Sequence, residues 1–140
     1  MSKTVSLSKD TPSVQYLCSK DKRLARVIDM VGPINYIPHT EEPFSFLVHE
    51  IIEQMLSVKS GKIIYDRLAK LCNGDISPEQ IRKLSDEQIR SIGTSNSKVN
   101  YIRNVTNTIL NGDLDLSKLK ELADTEITNE IGRASCRERV

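Results

Sequence analysis

The sequence predicts an all-α fold, a multi-helix bundle, on three observations. Apolar residues recur at spacings of three and four, the period that places side chains on one helical face. No stretch alternates with the period of two that a half-buried strand requires. Helix starts and stops punctuate the chain: Ser, Thr or Asp, several with a following Pro, open the periodic runs, and Gly or Asn-Gly closes them.

Residues 1–11 are polar and expected to be disordered. Thr11-Pro12 opens a short helix, proline being tolerated in a first turn where its missing N–H would find no partner. Asp21 caps a second helix in which Leu24, Val27, Ile28 and Val31 share one face, predicted to be buried, and Gly32-Pro33 ends it. Ile34 to Glu42 is a connection containing Pro38 and His39.

Two consecutive helices from Pro43 to Cys72 form the centre of the chain. Phe44, Leu47, Val48, Ile51, Ile52 and Met55 make one apolar stripe; Val58, Gly61, Ile64, Leu68 and Leu71 make the next, which ends at Asn73-Gly74. Between them lies a polar junction of Gln54, Met55, Leu56 and Ser57, with Ser57 as the cap of the second helix. Ser77-Pro78-Glu79-Gln80 and Ser85-Asp86-Glu87-Gln88 are two capping boxes, each opening a short helix, anchored by Ile81 with Leu84 and by Ile89 with Ile92. After Gly93, Ser95 or Ser97 caps a longer helix through Val99, Ile102, Val105 and Ile109; Lys98 and the amides of that first turn are alternatively a phosphate site. Leu114 and Leu116 pack the next connection, Ser117 caps a helix with Leu119 and Leu122, and Asp124 caps a last one.

Residues 12–130 thus form one helical domain. A content of 38% hydrophobic and 28% charged residues over 140 positions suits a modest core. A net charge of +1 excludes the overall basic signature of a nonspecific nucleic-acid binder and leaves room only for a local patch. Three cysteines without a CxxC pair imply neither a disulfide framework nor a zinc site, and fit a reducing cytoplasm. Neither a long apolar run nor an apolar leader segment is present, so no membrane association is expected. His39 and His49 lack ligand partners at suitable spacing and are read as structural.

Residues 131–140, IGRASCRERV, stand apart. They hold three arginines where the first 130 residues hold six, and with Glu130 they resemble the translation of a sequencing adapter. They are read as a non-native tail, against the alternative of a basic arm touching phosphates.

The segments IIEQMLSVKSGKIIYDRL, LSDEQIRSIGTSNSKVNYIRNV and LDLSKLKELADTEI resemble the DNA-3-methyladenine glycosylase II family of the helix-hairpin-helix DNA glycosylase superfamily. The resemblance covers Tyr16 to Glu130, the N-terminal portion of that fold. It implies base-excision repair, the hydrolytic removal of alkylated purines from double-stranded DNA, by a cofactor-free and metal-free monomer. It also implies that Met55 is the side chain inserted when a base is flipped out, with Gln54 beside it for the orphaned partner. Gln54, Met55, Ser57, Lys59 and Lys98 are the expected DNA-binding residues.

Glu53 departs from the family's usual Gly, and Met55-Leu56 from a Gln-Ile pair. The family's hairpin, L-x-x-x-K-G-I-G-x-W-T-A, and its catalytic Asp would follow Glu130 and are absent from the sequence. The chain is therefore expected to be inactive alone and marginally stable, with Ile64, Leu68, Ile102 and Ile109 partly uncovered. The alternative is a noncatalytic helical module: a DNA binder if Lys59, Lys62, Lys98 and Arg103 converge on one face, or a protein-interaction domain if an apolar concave surface dominates.

Overall fold

The computed structural model describes residues 4–38 and 41–135, which form two compact units divided at Thr40. His39, Cys136 and the remainder of the expected tail beyond Ser135 lie outside the described residues, as do residues 1–3.

In the first unit, β1 (Val5–Leu7) pairs antiparallel with β2 (Ile34–Tyr36), in register Val5 to Tyr36 and Leu7 to Ile34. This corrects two expectations, disorder throughout residues 1–11 and the absence of any strand. Three residues are too short for alternation to register in the sequence, and the pair exists only because the intervening helices bring its ends together. Those helices are α1 (Pro12–Lys20) and α2 (Lys22–Val31). Thr11 precedes α1 without capping it; its hydroxyl instead accepts from the Ser8 amide at 3.0 Å, closing the turn after β1. Asp21 caps α2 as expected, its Oδ1 accepting from the amides of Arg23 at 2.7 Å and Leu24 at 3.1 Å.

The apolar face of α2 is not buried, contrary to its periodicity. Leu24, Val27 and Val31 are all exposed, and no residue of α2 is buried. They line an open apolar cleft of about 650 Å³ with Leu7, Val14 and Leu17. Two helices and a ribbon have too little surface to enclose a core of their own.

The second unit contains α3 (Pro43–Glu53), α4 (Val58–Leu71), α5 (Pro78–Lys83), α6 (Asp86–Ser91), α7 (Asn96–Leu110), a 3-10 segment (Leu116–Glu121) and α8 (Asp124–Ser135). Helix α7 is the hub, packing on α3, α5, α6 and α8. Its Ile102 and Val105 meet Val48 and Ile52 of α3, Leu68 of α4, Ile81 of α5 and Ile89 of α6 in one continuous core. Leu68 and Ile102 are fully buried, contrary to expectation, whereas Ile64 and Ile109 are partly uncovered as expected; a more exposed apolar face lies on α2. Thr106 joins the core, which its polarity concealed; its hydroxyl donates to the Ile102 carbonyl at 2.7 Å and so enters the interior satisfied.

Of the two expected capping boxes, only that of Ser85 forms: its hydroxyl accepts from the Gln88 amide at 3.1 Å, and the Gln88 side chain accepts from the Ser85 amide at 2.8 Å. Ser77 turns away and donates to Asp75 at 3.1 Å. The cap expected at Ser117 belongs to Asp115, which accepts from the Ser117 amide at 3.0 Å. Helix α8 runs through Glu130 to Ser135, and Ala134 is buried in the core. Ile127, Ile131 and Ala134 continue a helical spacing across the expected tail boundary, so that boundary is not one of secondary structure.

Arg103 of α7 donates to the carbonyls of Ile81, at 2.8 Å, and Leu84, and its Nε meets Asp86 at 2.6 Å. Arg67 of α4 donates to the Ile92 carbonyl at 3.0 Å, where the chain turns through Gly93 at a φ of 106°. The Ile81 carbonyl also accepts from the Leu84 amide, so the guanidinium groups add bonds at the ends of short helices, where carbonyls run out of helical partners.

Replacing Leu68 by Ala should cost roughly 2–5 kcal/mol of stability, since the site is enclosed on all sides, and chemical denaturation of the purified chain measures it. At Gly61 of α4 a Cβ would come within 2.5 Å of the Glu53 Cγ. Gly61→Ala should therefore destabilise by roughly 1–3 kcal/mol through overpacking, despite alanine's better helix propensity. Adding Glu53→Ala should restore the loss, and a thermal-melt double-mutant cycle reads the coupling.

Candidate nucleic-acid interface

The junction between α3 and α4 is a tight turn at the edge of the second unit. Gln54 has φ −48° and ψ 126°, Met55 has a φ of 61°, and the Leu56 amide donates to the Glu53 carbonyl at 2.9 Å. These angles are those of a type II turn, whose third residue is usually Gly or Asn because it needs a left-handed backbone. Here that residue is Met55, and its relative exposure is 101%. The last core position of α3 is instead Ile52, fully buried. Leaving the helix after Glu53 carries Met55 off the stripe to which its spacing assigned it, so the enclosure by Phe44, Leu47 and Ile64 that a core role required is absent.

Gln54, Leu56, Ser57, Val58 and Lys59 are exposed around it. Ser57 caps α4 by accepting from the Ser60 amide at 3.2 Å. The first turn of a 14-residue helix, with its positive dipole end, therefore opens on the same rim as Met55. Lys59 makes no hydrogen bond or ion pair among the described residues, whereas Lys62 lies 3.4 Å from Asp66.

Lys98 is placed differently from its sequence reading. Its backbone amide donates to the Ser95 hydroxyl at 3.3 Å, which makes Ser95 the cap of α7. Its ammonium crosses to α3 and donates to the carbonyls of Ile52 at 2.7 Å and Gln54 at 2.6 Å. Arg103, likewise counted as a candidate for a basic face, is occupied by α5 and α6 and is only 19% exposed at the side chain. Lys59, Lys62, Lys98 and Arg103 do not combine into one free basic patch: three of the four are already paired.

Glu53 would oppose phosphates if it faced the turn. It points back along α3 instead: its Oε1 lies 3.0 Å from His49 Nε2, and its stem lies over Gly61. The His49 ring stacks on Tyr65 with centroids 4.2 Å apart. His49 is thus a packing residue, as its position on the helix edge predicted. Burial, the largest cause, raises the Tyr65 phenol above its usual range, partly opposed by a hydrogen bond with Ser45. Beside the turn is a cleft of about 270 Å³ lined by Leu47, Ile51, Gln54, Tyr101, Ile131 and Ser135. Among the described residues no cluster of His, Cys, Asp and Glu could hold a metal ion, and no helix is long and apolar enough to cross a membrane. Sequence reasoning missed the strained turn at Met55, for which the departure from Gly or Asn leaves no signal, and the inward use of Lys98.

Comparison with known proteins agrees with this architecture. The chain is 27% identical over 121 residues to DNA-3-methyladenine glycosylase 1 of Schizosaccharomyces pombe, a match covering 82% of this chain and 50% of that protein. It superimposes on the crystal structure of a DNA-3-methyladenine glycosidase from Bacillus halodurans with a TM-score of 0.74 and 35% identity, covering 90% of this chain and 58% of that one. The chain therefore spans about half the length of these relatives. The family model for HhH-GPD superfamily base excision DNA repair proteins matches residues 48–137, which include the Met55 turn and Lys98. With most of its second unit matched in this way, the chain belongs to the HhH-GPD superfamily of base excision DNA repair proteins.

Proposed function

We propose that this chain is the duplex-probing part of a DNA glycosylase that removes alkylated purines of the 3-methyladenine type. The observation that carries the reading is Met55, a large apolar side chain held fully in solvent at a turn between two helices of a family that repairs DNA bases. A glycosylase must take its target base out of the stack, which costs roughly a few kcal/mol per step, and an apolar side chain filling the gap offsets that cost. Met is long, unbranched and polarizable, properties that suit contact with base faces. Gln54 supplies an amide for the orphaned base, while Ser57, Lys59 and the first turn of α4 meet the backbone phosphates.

In the reaction of such an enzyme, water adds at the sugar C1′ as the N-glycosidic bond breaks; the alkylated base, cationic in the nucleotide, leaves neutral with the bonding electrons, and the proton of the added water passes to solvent. The family resemblance puts the carboxylate that stabilises the developing positive charge after a hairpin motif that this sequence does not contain. We accordingly assign binding to these residues and bond cleavage to other parts of such a protein, acting in the cytoplasm as a monomer.

Met55→Ala should weaken binding to a duplex carrying an abasic-site analogue by about tenfold, equivalent to about 1.4 kcal/mol. Because the side chain is solvent-exposed, the same change should move stability by less than about 0.5 kcal/mol. Fluorescence anisotropy and thermal melts of one preparation measure both; a large stability loss with unchanged affinity would sink the assignment. The 140-residue chain by itself should release no 3-methyladenine from alkylated DNA. Release above that of a mock preparation would place the catalytic carboxylate within these 140 residues.

A further inference from the structure

We propose that Lys98 is a positioning residue: through its bond to the Gln54 carbonyl it holds the peptide between Gln54 and Met55 in the one orientation that keeps Met55 left-handed. The two common forms of this turn differ by a flip of that central peptide. In the type II form found here, Gln54 has ψ 126° and Met55 has φ 61°. A type I turn would put Gln54 ψ at about −30° and Met55 φ at about −90°, a region that Met adopts without strain. The closing bond from the Leu56 amide to the Glu53 carbonyl, 2.9 Å long, is compatible with both forms. The direction of the Gln54 carbonyl distinguishes them, because the flip reverses it.

That carbonyl accepts from the Lys98 ammonium at 2.6 Å. The same ammonium is anchored by the Ile52 carbonyl at 2.7 Å, at the end of the buried stretch of α3, and by its own place in the first turn of α7. A flip would aim the carbonyl away and cost a charge-assisted bond, which is stronger than a neutral one. The left-handed residue is thereby kept against its own preference, and strained residues persist where surrounding structure over-determines them. The direction in which the Met55 side chain leaves the turn follows from that backbone state. Lys98 thus acts on the wedge from within the fold rather than by touching phosphate. Its functional consequence rests on the wedge reading given above; the backbone consequence does not.

The test uses the full chain with isotopically labelled methionine. In the parent, φ-sensitive scalar couplings of Met55 should report a positive angle; in Lys98→Met, which keeps the stem and removes the charge, they should report a negative one. A folded Lys98→Met, or a folded Lys98→Gln should the first not fold, that retains positive φ would overturn the proposal. So would failure of both to fold, which would make Lys98 a general structural tie. A stability cycle gives an independent reading: Met55→Gly should raise the melting temperature of the parent, because glycine is not strained there, and should give no gain in the Lys98 variant, whose turn has already relaxed.

On DNA, Lys98→Met should reduce the preference for abasic-analogue over intact duplex by about tenfold, the factor corresponding to release of one strained residue. It should leave the dependence of affinity on salt unchanged, whereas Lys59→Ala should lower that slope by about one phosphate contact. A reduced slope in Lys98→Met would return Lys98 to the phosphate role and refute the proposal. If the parent shows no preference for the abasic analogue, the wedge reading fails, while the coupling measurement still decides the role of Lys98.

Discussion

Carbonyl groups left over at the ends of the helices around α7 constrain how the elements of the second unit sit against one another. Helices as short as α5 and α6 consist almost entirely of termini, and each C-terminal end presents carbonyl acceptors that the helix itself cannot satisfy. Three cations answer them: Arg103 at the end of α5, Arg67 at the end of α6 and Lys98 at the end of α3. Each reaches across from a neighbouring helix, so the bonds that finish one element also fix its position against the next. Apolar packing of α7 supplies the bulk of the burial, but it is not directional. The cations add the direction, and with it the geometry of the α3–α4 turn.

The same bonds explain the electrostatic character of this surface. A count of lysines and arginines over residues 59–103 suggests a basic face, yet the charges of Lys98 and Arg103 are spent inside the unit, and Lys62 is balanced by Asp66. Lys59, the first turn of α4 and Met55 remain on the open rim. Affinity for DNA through such a rim would depend on a few contacts and on shape, in keeping with a net charge of only +1. Glu53 shows the complementary device: His49 and the space above Gly61 draw a carboxylate away from the turn it adjoins.

The first unit shows where apolar patterning and enclosure separate. The face of α2 is as periodic as that of α3, yet α3 is buried and α2 lines an open cleft. Periodicity states which side chains share a face; it does not supply the surface to cover them.

Composition and periodicity determined the helical class, the order of the helices, the core positions Val48, Ile52, Ile81, Ile89 and Ile102, and the caps at Asp21, Ser57 and Ser85, because these depend on interactions within a few residues. The family was legible in the segments around the α3–α4 junction and α7, since turn chemistry and helix starts are local. Contacts between residues far apart in the chain were decided only by tertiary structure. The pairing of Val5–Leu7 with Ile34–Tyr36, the burial of Thr106 and the continuation of α8 through Ser135 all depend on what lies opposite. Met55 stands between the two: its spacing assigns it to the core of α3, and only the family resemblance pointed to its exposure. A single left-handed residue removes it from that helix, and the cation facing its turn is 44 positions away. Neighbours in sequence carry no record of a bond formed over that distance.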